Sequence, residues 1–420
     1  MRPYPPESTV ENSAVRPAIS LDTSRIAISG FVLSGLLLSF VGAILPSWGY
    51  HVRSDFTTVG AYFLSVNVGL VVSLWLAQMV LPRGGIRFQL LLACGIAAAS
   101  FLGLALSPPP FPAEWRVLGL FGLGLGAGLL DAAILESIAP LYARDRARAV
   151  NLAGAFFGCG CLLTALLVAG TYYVYTVASI LIFFALIPGL YAGIYLRAKF
   201  SPVAIAQRPG IRQVMNDFRT PGAVLFALLL FFQFGNEWSI AGWLPLFLIR
   251  RLGISPETSL FMLALFWAAL LVGRLVAQPI RNHVAQGRLL MGSLLSAWLG
   301  CIILASTTNR FGAVMGILFV GGGFAFIYPL VIEKIAHRFP YYHPGFYNGI
   351  VSLAFSGGML APWSLGYFAD GWGIQAIMIL PVVGTLIVFM LLLVILLEAK
   401  LSGGPELKKA ASSSAGSARS

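Results

Sequence analysis

Gly122-Leu-Gly-Leu-Gly-Ala-Gly-Leu-Leu-Asp-Ala-Ala-Ile-Leu-Glu136 is a glycine-striped apolar run holding two carboxylates. Small residues at this density let a second helix backbone come close, which is how helices associate where lipid removes the hydrophobic drive. An ionised Asp131 in hydrocarbon costs about 2.5–3.5 kcal/mol on insertion scales, so an acid kept there points to a use. The plainer reading is a hydrogen bond to a neighbouring helix. Glu136 lies five residues on, which turns a helix by about 500° and sets the two acids about 140° apart. They are not one paired-carboxylate site. Asp131 continues the Gly124–Gly128 stripe, whereas Glu136 lies about two turns from Arg144, Arg146 and Arg148 and suits a gate or loop salt bridge.

Working outward, the composition places this run in a membrane. Of 420 residues, 58% are hydrophobic and 10% charged, and the mean hydropathy is +0.87. That excludes a soluble domain. Apolar runs of span length fall at about 25–48, 57–81, 86–107, 115–140, 148–170, 172–196, 221–249, 257–280, 288–306, 311–336, 345–368 and 373–398. The expected fold class is all-α: twelve transmembrane helices in two six-helix bundles, 25–197 and 221–399. A linker over 198–220 joins them, and disordered tails over 1–24 and 400–420 flank them.

The net charge of +12 does not mark a nucleic-acid binder, because the charges sit in short loops between apolar runs. Of the 27 Lys and Arg, 21 fall on the side of the termini and the central linker, five on the other side, and the last, Arg274, inside a span. The bias predicts cytoplasmic termini, in a multi-pass protein of the cell membrane. Cys94, Cys159, Cys161 and Cys301 lie in apolar runs with no metal or disulfide spacing and read as packing residues. No catalytic signature lies in a suitable context, and the glycines around 122–128 fall inside a continuous span rather than between a strand and a helix. The chain is expected not to be an enzyme and to need no cofactor or metal.

The halves repeat. Leu76-Ala-Gln78 matches Val276-Ala-Gln278 at an offset of 200, and at 197 Glu136 falls on Glu333, Asn151 on Asn348 and Gly160 on Gly357. Two similar six-helix halves about an axis along the membrane normal describe a major facilitator transporter, with substrate bound between the halves. Within that superfamily the chain resembles the fucose-permease branch over roughly 25–398. The resemblance rests on GLGLGAGLLDAAILE, NLAGAFFGCGCLLTALL, FGNEWSIAGWLPLFL, FWAALLVGR, AFIYPLVIEKIA and NGIVSLAFSGGMLAPW in order. It implies proton-coupled sugar import, with Asp131 at the place of a substrate-contacting carboxylate. Two features depart from it. Ile26–Trp48 holds no acid, and Gly42 stands near where those symporters carry one. The 81–87 loop keeps Arg83, Gly85 and Arg87 but lacks the usual Asp.

Other candidates follow from helical spacing. Gln233, Asn236 and Glu237 form an expected polar stripe beside Trp238 and Trp243, on a helix that Gly235, Gly242 and Pro245 should loosen. Asp131 and Glu237 are the candidates for proton coupling, because burial disfavours a charged carboxylate. Tyr328 matches Asp131 in the second half, and Asn348 and Ser352 share a helix face. Single polar residues of this kind are common helix–helix glue. Glu136, Glu333, Arg83 and Arg144 suit a cytoplasmic gate. Arg274 is expected to latch near the cytoplasmic end, snorkelling or pairing with Glu333 or a loop carboxylate. The expected function is secondary transport of a small organic solute, first a sugar or polyol, by a monomer in the lipid bilayer with protons as the candidate coupling ion. Efflux of an amphiphilic drug or metabolite is the second reading, and a non-transporting receptor or scaffold the third.

Overall fold

A computed structural model of the chain describes residues 21–52, 55–144, 146–200, 221–281, 283–339 and 344–401, without the side chains of 21–24, 139–149, 278, 281, 344–349, 351, 352 and 399–401. The expected linker and both tails fall largely outside these residues. Eleven α-helices appear among the described residues: α1 (Leu21–Ile44), α2 (Phe56–Leu106), α3 (Ala113–Arg144), α4 (Arg146–Thr171), α5 (Val177–Arg197), α6 (Pro221–Leu252), α7 (Pro256–Arg281), α8 (Gln286–Ser306), α9 (Arg310–Arg338), α10 (Pro344–Trp372) and α11 (Ile379–Leu401). The fold is all-helical and polytopic.

Backbone groups in hydrocarbon must be satisfied within the segment, so apolar runs of this length become helices. Where the chain turns, local chemistry takes over. Asp55 accepts from Thr58 N to start α2, Thr176 from Ser179 N to start α5, and Asn309 from Gly312 N to start α9. The 51 residues of α2 would make a straight rod of about 77 Å, against a hydrocarbon core of about 30 Å. Gly85, at φ 73° and ψ 176°, breaks it. This is a backbone conformation that suits glycine. Spans 2 and 3 are therefore the two limbs of one bent helix, and the twelve expected spans map onto eleven helices.

The glycine stripe does what its composition predicts, and it does so twice. A Cβ on Gly124 would overlap the Val66 carbonyl in the first limb of α2, and one on Gly126 would stand 3.1 Å from Ala93 O in the second limb. In the other half, a Cβ on Gly321 would lie 2.8 Å from Phe266 O, and one on Gly323 would stand 2.7 Å from Ser293 O. These pairs are related by the same offsets of 197 and 200, so the sequence repeat is also a repeat of helix packing. α3 in one half and α9 in the other are each seated between two neighbours through glycine.

The two halves meet along α4 and α7 and again at one end. The start of α2 packs on the end of α10, and α1 crosses α6. We call this the distal end, and the end bearing Leu21, the Gly85 bend and Leu401 the terminal end. The α1–α6 crossing is tight: a Cβ on Gly42 would stand 2.5 Å from Ala241 O. That is the physical reason this position carries no acid, because any side chain there would push the helices apart. Arg116, counted above with the loop charges, is 3% exposed. It donates to Tyr62 Oη at 2.7 Å and to the Phe111 carbonyl at 2.9 Å, fixing the distal end of the first half.

Candidate functional site

In the first half, Asp131 sits midway along α3. Its Oδ1 is buried and has no hydrogen-bond partner among the described residues. The hydroxyl that faces it is Ser34 of α1, itself buried and unpartnered. Tyr195 of α5 stands within electrostatic reach, its hydroxyl also unpartnered and wedged against Gly30. An acid and two hydroxyls from three helices thus gather inside the first half, with Ser34 the hydroxyl that faces Asp131.

In the second half, Glu237 of α6 and Arg274 of α7 form an ion pair, Oε1 to Nη2 at 3.4 Å, with both side chains about one-tenth exposed. Arg274 Nη1 also donates to the Gly154 carbonyl of α4 at 3.0 Å. That bond crosses from one half to the other. Arg274 therefore does not snorkel, and its partner is not Glu333. Sequence fixes depth along a helix, but only packing shows which anion is nearest, and a buried guanidinium takes the closest one. Glu333 instead faces His337 at 3.9 Å on its own helix, and Arg338 pairs with Glu398 at 3.1 Å, joining α9 to α11.

The expected polar stripe on α6 divides. Gln233 and Glu237 are one turn apart and share a face; Gln233 is fully buried and lies against the Glu237 carboxylate. Asn236 is rotated about 100° from Glu237 and points the other way. Its Nδ2 donates to Thr385 Oγ1 of α11 at 3.4 Å, and Gly384 leaves room for it. Asn236 belongs to the internal packing of the second half. Trp238 faces the interface, its ring 6.1 Å from Phe157 of α4 and 6.2 Å from Trp267. Tyr328 is partly buried with its ring 5.3 Å from Phe234. Trp243 is spent on closure: it donates to the Pro362 carbonyl and stands against Phe56 and Phe63 of the first half.

Asn348, Ser352 and Arg144 lie outside the described side chains. Glu136 is partly buried, and its expected partners Arg144, Arg146 and Arg148 lie outside them too. Arg83 is exposed and donates to Met79 O of its own helix. Sequence reasoning missed Ser34, Tyr195, Gly154 and Phe157. It also missed the Glu237–Arg274 pairing, for which a signal existed: two opposite charges inside adjacent spans are expected to find each other.

At the depth of Glu237 the Arg274–Gly154 hydrogen bond and the Trp238–Phe157 contact bridge the two halves. A family model described as Major Facilitator Superfamily matches residues 115–362. The chain belongs to the major facilitator superfamily. It is a transporter. An uncharacterised transporter of this superfamily from Yersinia pestis is 23% identical over 368 residues, covering 86% of this chain and 92% of that one. A glucose/galactose transporter of Brucella abortus is 26% identical over 162 residues, 38% of this chain and 39% of that protein. Among solved structures, the xylose transporter of E. coli superposes with a TM-score of 0.67 at 15% identity, covering 87% of this chain and 97% of that one. The fucose:proton symporter of E. coli gives 0.58 at 14%, covering 89% and 98%. At these identities the structures speak to the fold.

Proposed function

We propose that this transporter carries a neutral sugar or polyol between its two halves, coupled to protons, in a cell membrane with both termini in the cytoplasm. The observation that carries the reading is one carboxylate deep in each half, Asp131 in the first and Glu237 in the second. Asp131 stands beside the Ser34 hydroxyl with no cation against it, and Glu237 is held by Arg274, while Trp238 meets Phe157 of α4 with Trp267 beside it. Carboxylates and amides bind hydroxyls, while indole faces suit the apolar face of a sugar ring in a largely apolar pocket. The glucose/galactose, xylose and fucose transporters among the relatives support the substrate class. The Lys/Arg bias of the loops supports the orientation.

Proton coupling falls to Asp131 in this reading. Glu237 is already neutralised by Arg274, and Ile26–Ile44 of α1 holds no acid, so Asp131, deep in α3 with no cation against it among the described residues, is the candidate. The test is uptake of labelled sugars into proteoliposomes under an inward proton gradient. Wild type should accumulate glucose, galactose or a related polyol. Asp131→Asn should lose gradient-driven accumulation while still exchanging sugar across the membrane at equilibrium. If no sugar is accumulated but a preloaded amphiphilic dye is expelled against the gradient, the efflux reading replaces this one.

A further inference from the structure

The distal end is held by a contact that neither the sequence reading nor the proposed sugar site assigns. Asp370 lies in the last turn of α10, in the second half, yet its carboxylate is bound to the first turn of α2, in the first. Oδ1 accepts from Phe56 N at 3.2 Å and Oδ2 from Thr57 Oγ1 at 2.5 Å. A negative charge at a helix C-terminus opposes that helix's own dipole, whereas at an N-terminus it is favoured. Asp370 is thus unfavourable for α10 and favourable for α2. Its placement makes sense only while the halves are together.

A second contact runs the same way. Arg250, in the last turn of α6, donates to the Val52 carbonyl at 2.9 Å and places its guanidinium 5.8 Å from the centre of the Phe56 ring. Both are bonds from the second half to the first. Asp55, by contrast, caps α2 from within its own half through Thr58 N, so the helix start has a resident cap in addition to the one lent by α10. Beneath these contacts α2 and α10 touch backbone to backbone: a Cβ on Gly60 would stand 2.7 Å from Trp363 O, and one on Gly366 2.6 Å from Phe56 O. Trp243 then fills the space against Phe56 and Phe63.

We propose that Asp370, together with Arg250, is a latch that closes the distal end by capping a helix of the opposite half, and that it breaks once in each transport cycle. Exposing the site to the distal side requires α2 and α10 to part; the Asp370 contact joins their ends, and Arg250 ties α6 to the turn before α2. The latch is indifferent to what is carried, so the inference stands or falls apart from the sugar reading. Water can replace Asp370 at Phe56 N once the halves separate. Asp55 keeps α2 started meanwhile, so the latch can open without fraying the helix.

Spin labels at Val174→Cys and Phe311→Cys, exposed distal positions in the first and second half, report the opening by pulsed electron resonance. The background is the Cys159→Ser variant, since Cys159 is partly exposed while Cys94, Cys161 and Cys301 are buried. Asp370→Ala should shift the distance distribution toward longer values and raise the open fraction on the order of fivefold. Thr57→Ala, a milder change on the other side of the contact, should move it the same way, and the double variant should add little to Asp370→Ala alone. Arg250→Gln should also favour opening. An unchanged distribution in both Asp370→Ala and Thr57→Ala, whether or not the melting temperature falls, would show that the contact only caps a helix and would overturn the latch.

Discussion

Arg274 shows most sharply how one side chain can hold two halves of a molecule in register. Its guanidinium is tied to Glu237 within its own half and to the Gly154 carbonyl in the other. Removing one member of a buried ion pair leaves the other charge uncompensated, at about 3–5 kcal/mol. Glu237→Gln and Arg274→Gln should therefore each lower the melting temperature of the purified protein markedly. The double variant should recover much of that stability, since it buries no lone charge. Net uptake should stay lost in Arg274→Gln and in the double variant, because neither binds the Gly154 carbonyl with a charged donor. Scanning fluorimetry beside uptake separates the two effects, and a double variant as unstable as the worse single one would count against the pairing. The two acids of the opening stretch also part company at this scale: Asp131 faces α1 and α5 from the interior, while Glu136 lies nearly one and a half turns further on.

At the scale of elements, glycine sets how closely α3 and α9 approach their neighbours, and the repeat makes a controlled comparison possible. A Cβ on Gly124 would overlap a backbone carbonyl, whereas one on Gly321 would stand 2.8 Å from both the Ala269 methyl and the Phe266 carbonyl. Overpacking of this kind costs about 1–3 kcal/mol. Gly124→Ala should therefore lower folded yield and melting temperature more than Gly321→Ala, as size-exclusion recovery from detergent would read. The turn after α1 adds a pH dependence. Burial, then the charge of Arg250, holds the His51 pKa below its ordinary value, with a backbone contact to Pro46 partly opposing. A lowered folded-state pKa means the neutral ring is the stabilising form. Its contribution is complete above the unfolded value of about 6.5 and diminishes as the pH falls below it. His51→Gln should flatten that part of the acid dependence of the melting temperature. The glycine seats were legible in the sequence because small residues at helical spacing have few other uses. The α6 stripe was legible only in part: spacing gave the shared face of Gln233 and Glu237, but α11 claimed Asn236.

For the whole molecule, the halves meet along α4 and α7 as well as at the distal end, and the orientation proposed above can be tested without a substrate. A reporter fused after residue 420 should be active only in the cytoplasm, and one placed at the loop between α4 and α5 only outside; the opposite pattern would reverse every sidedness statement. Sequence by itself determined the class, the count of spans, the internal duplication and the two buried acids worth asking about. It could do so because hydropathy, glycine spacing and charge bias are properties of a segment taken alone. Tertiary structure decided who meets whom. It placed Arg274 on Glu237 rather than Glu333, set Asp131 among Ser34 and Tyr195, explained Gly42 by the α1–α6 crossing, and found Asp370 capping a helix more than 300 residues away in sequence. Those pairings depend on how helices are rotated and which ones cross, and that is fixed by the packing of all of them together.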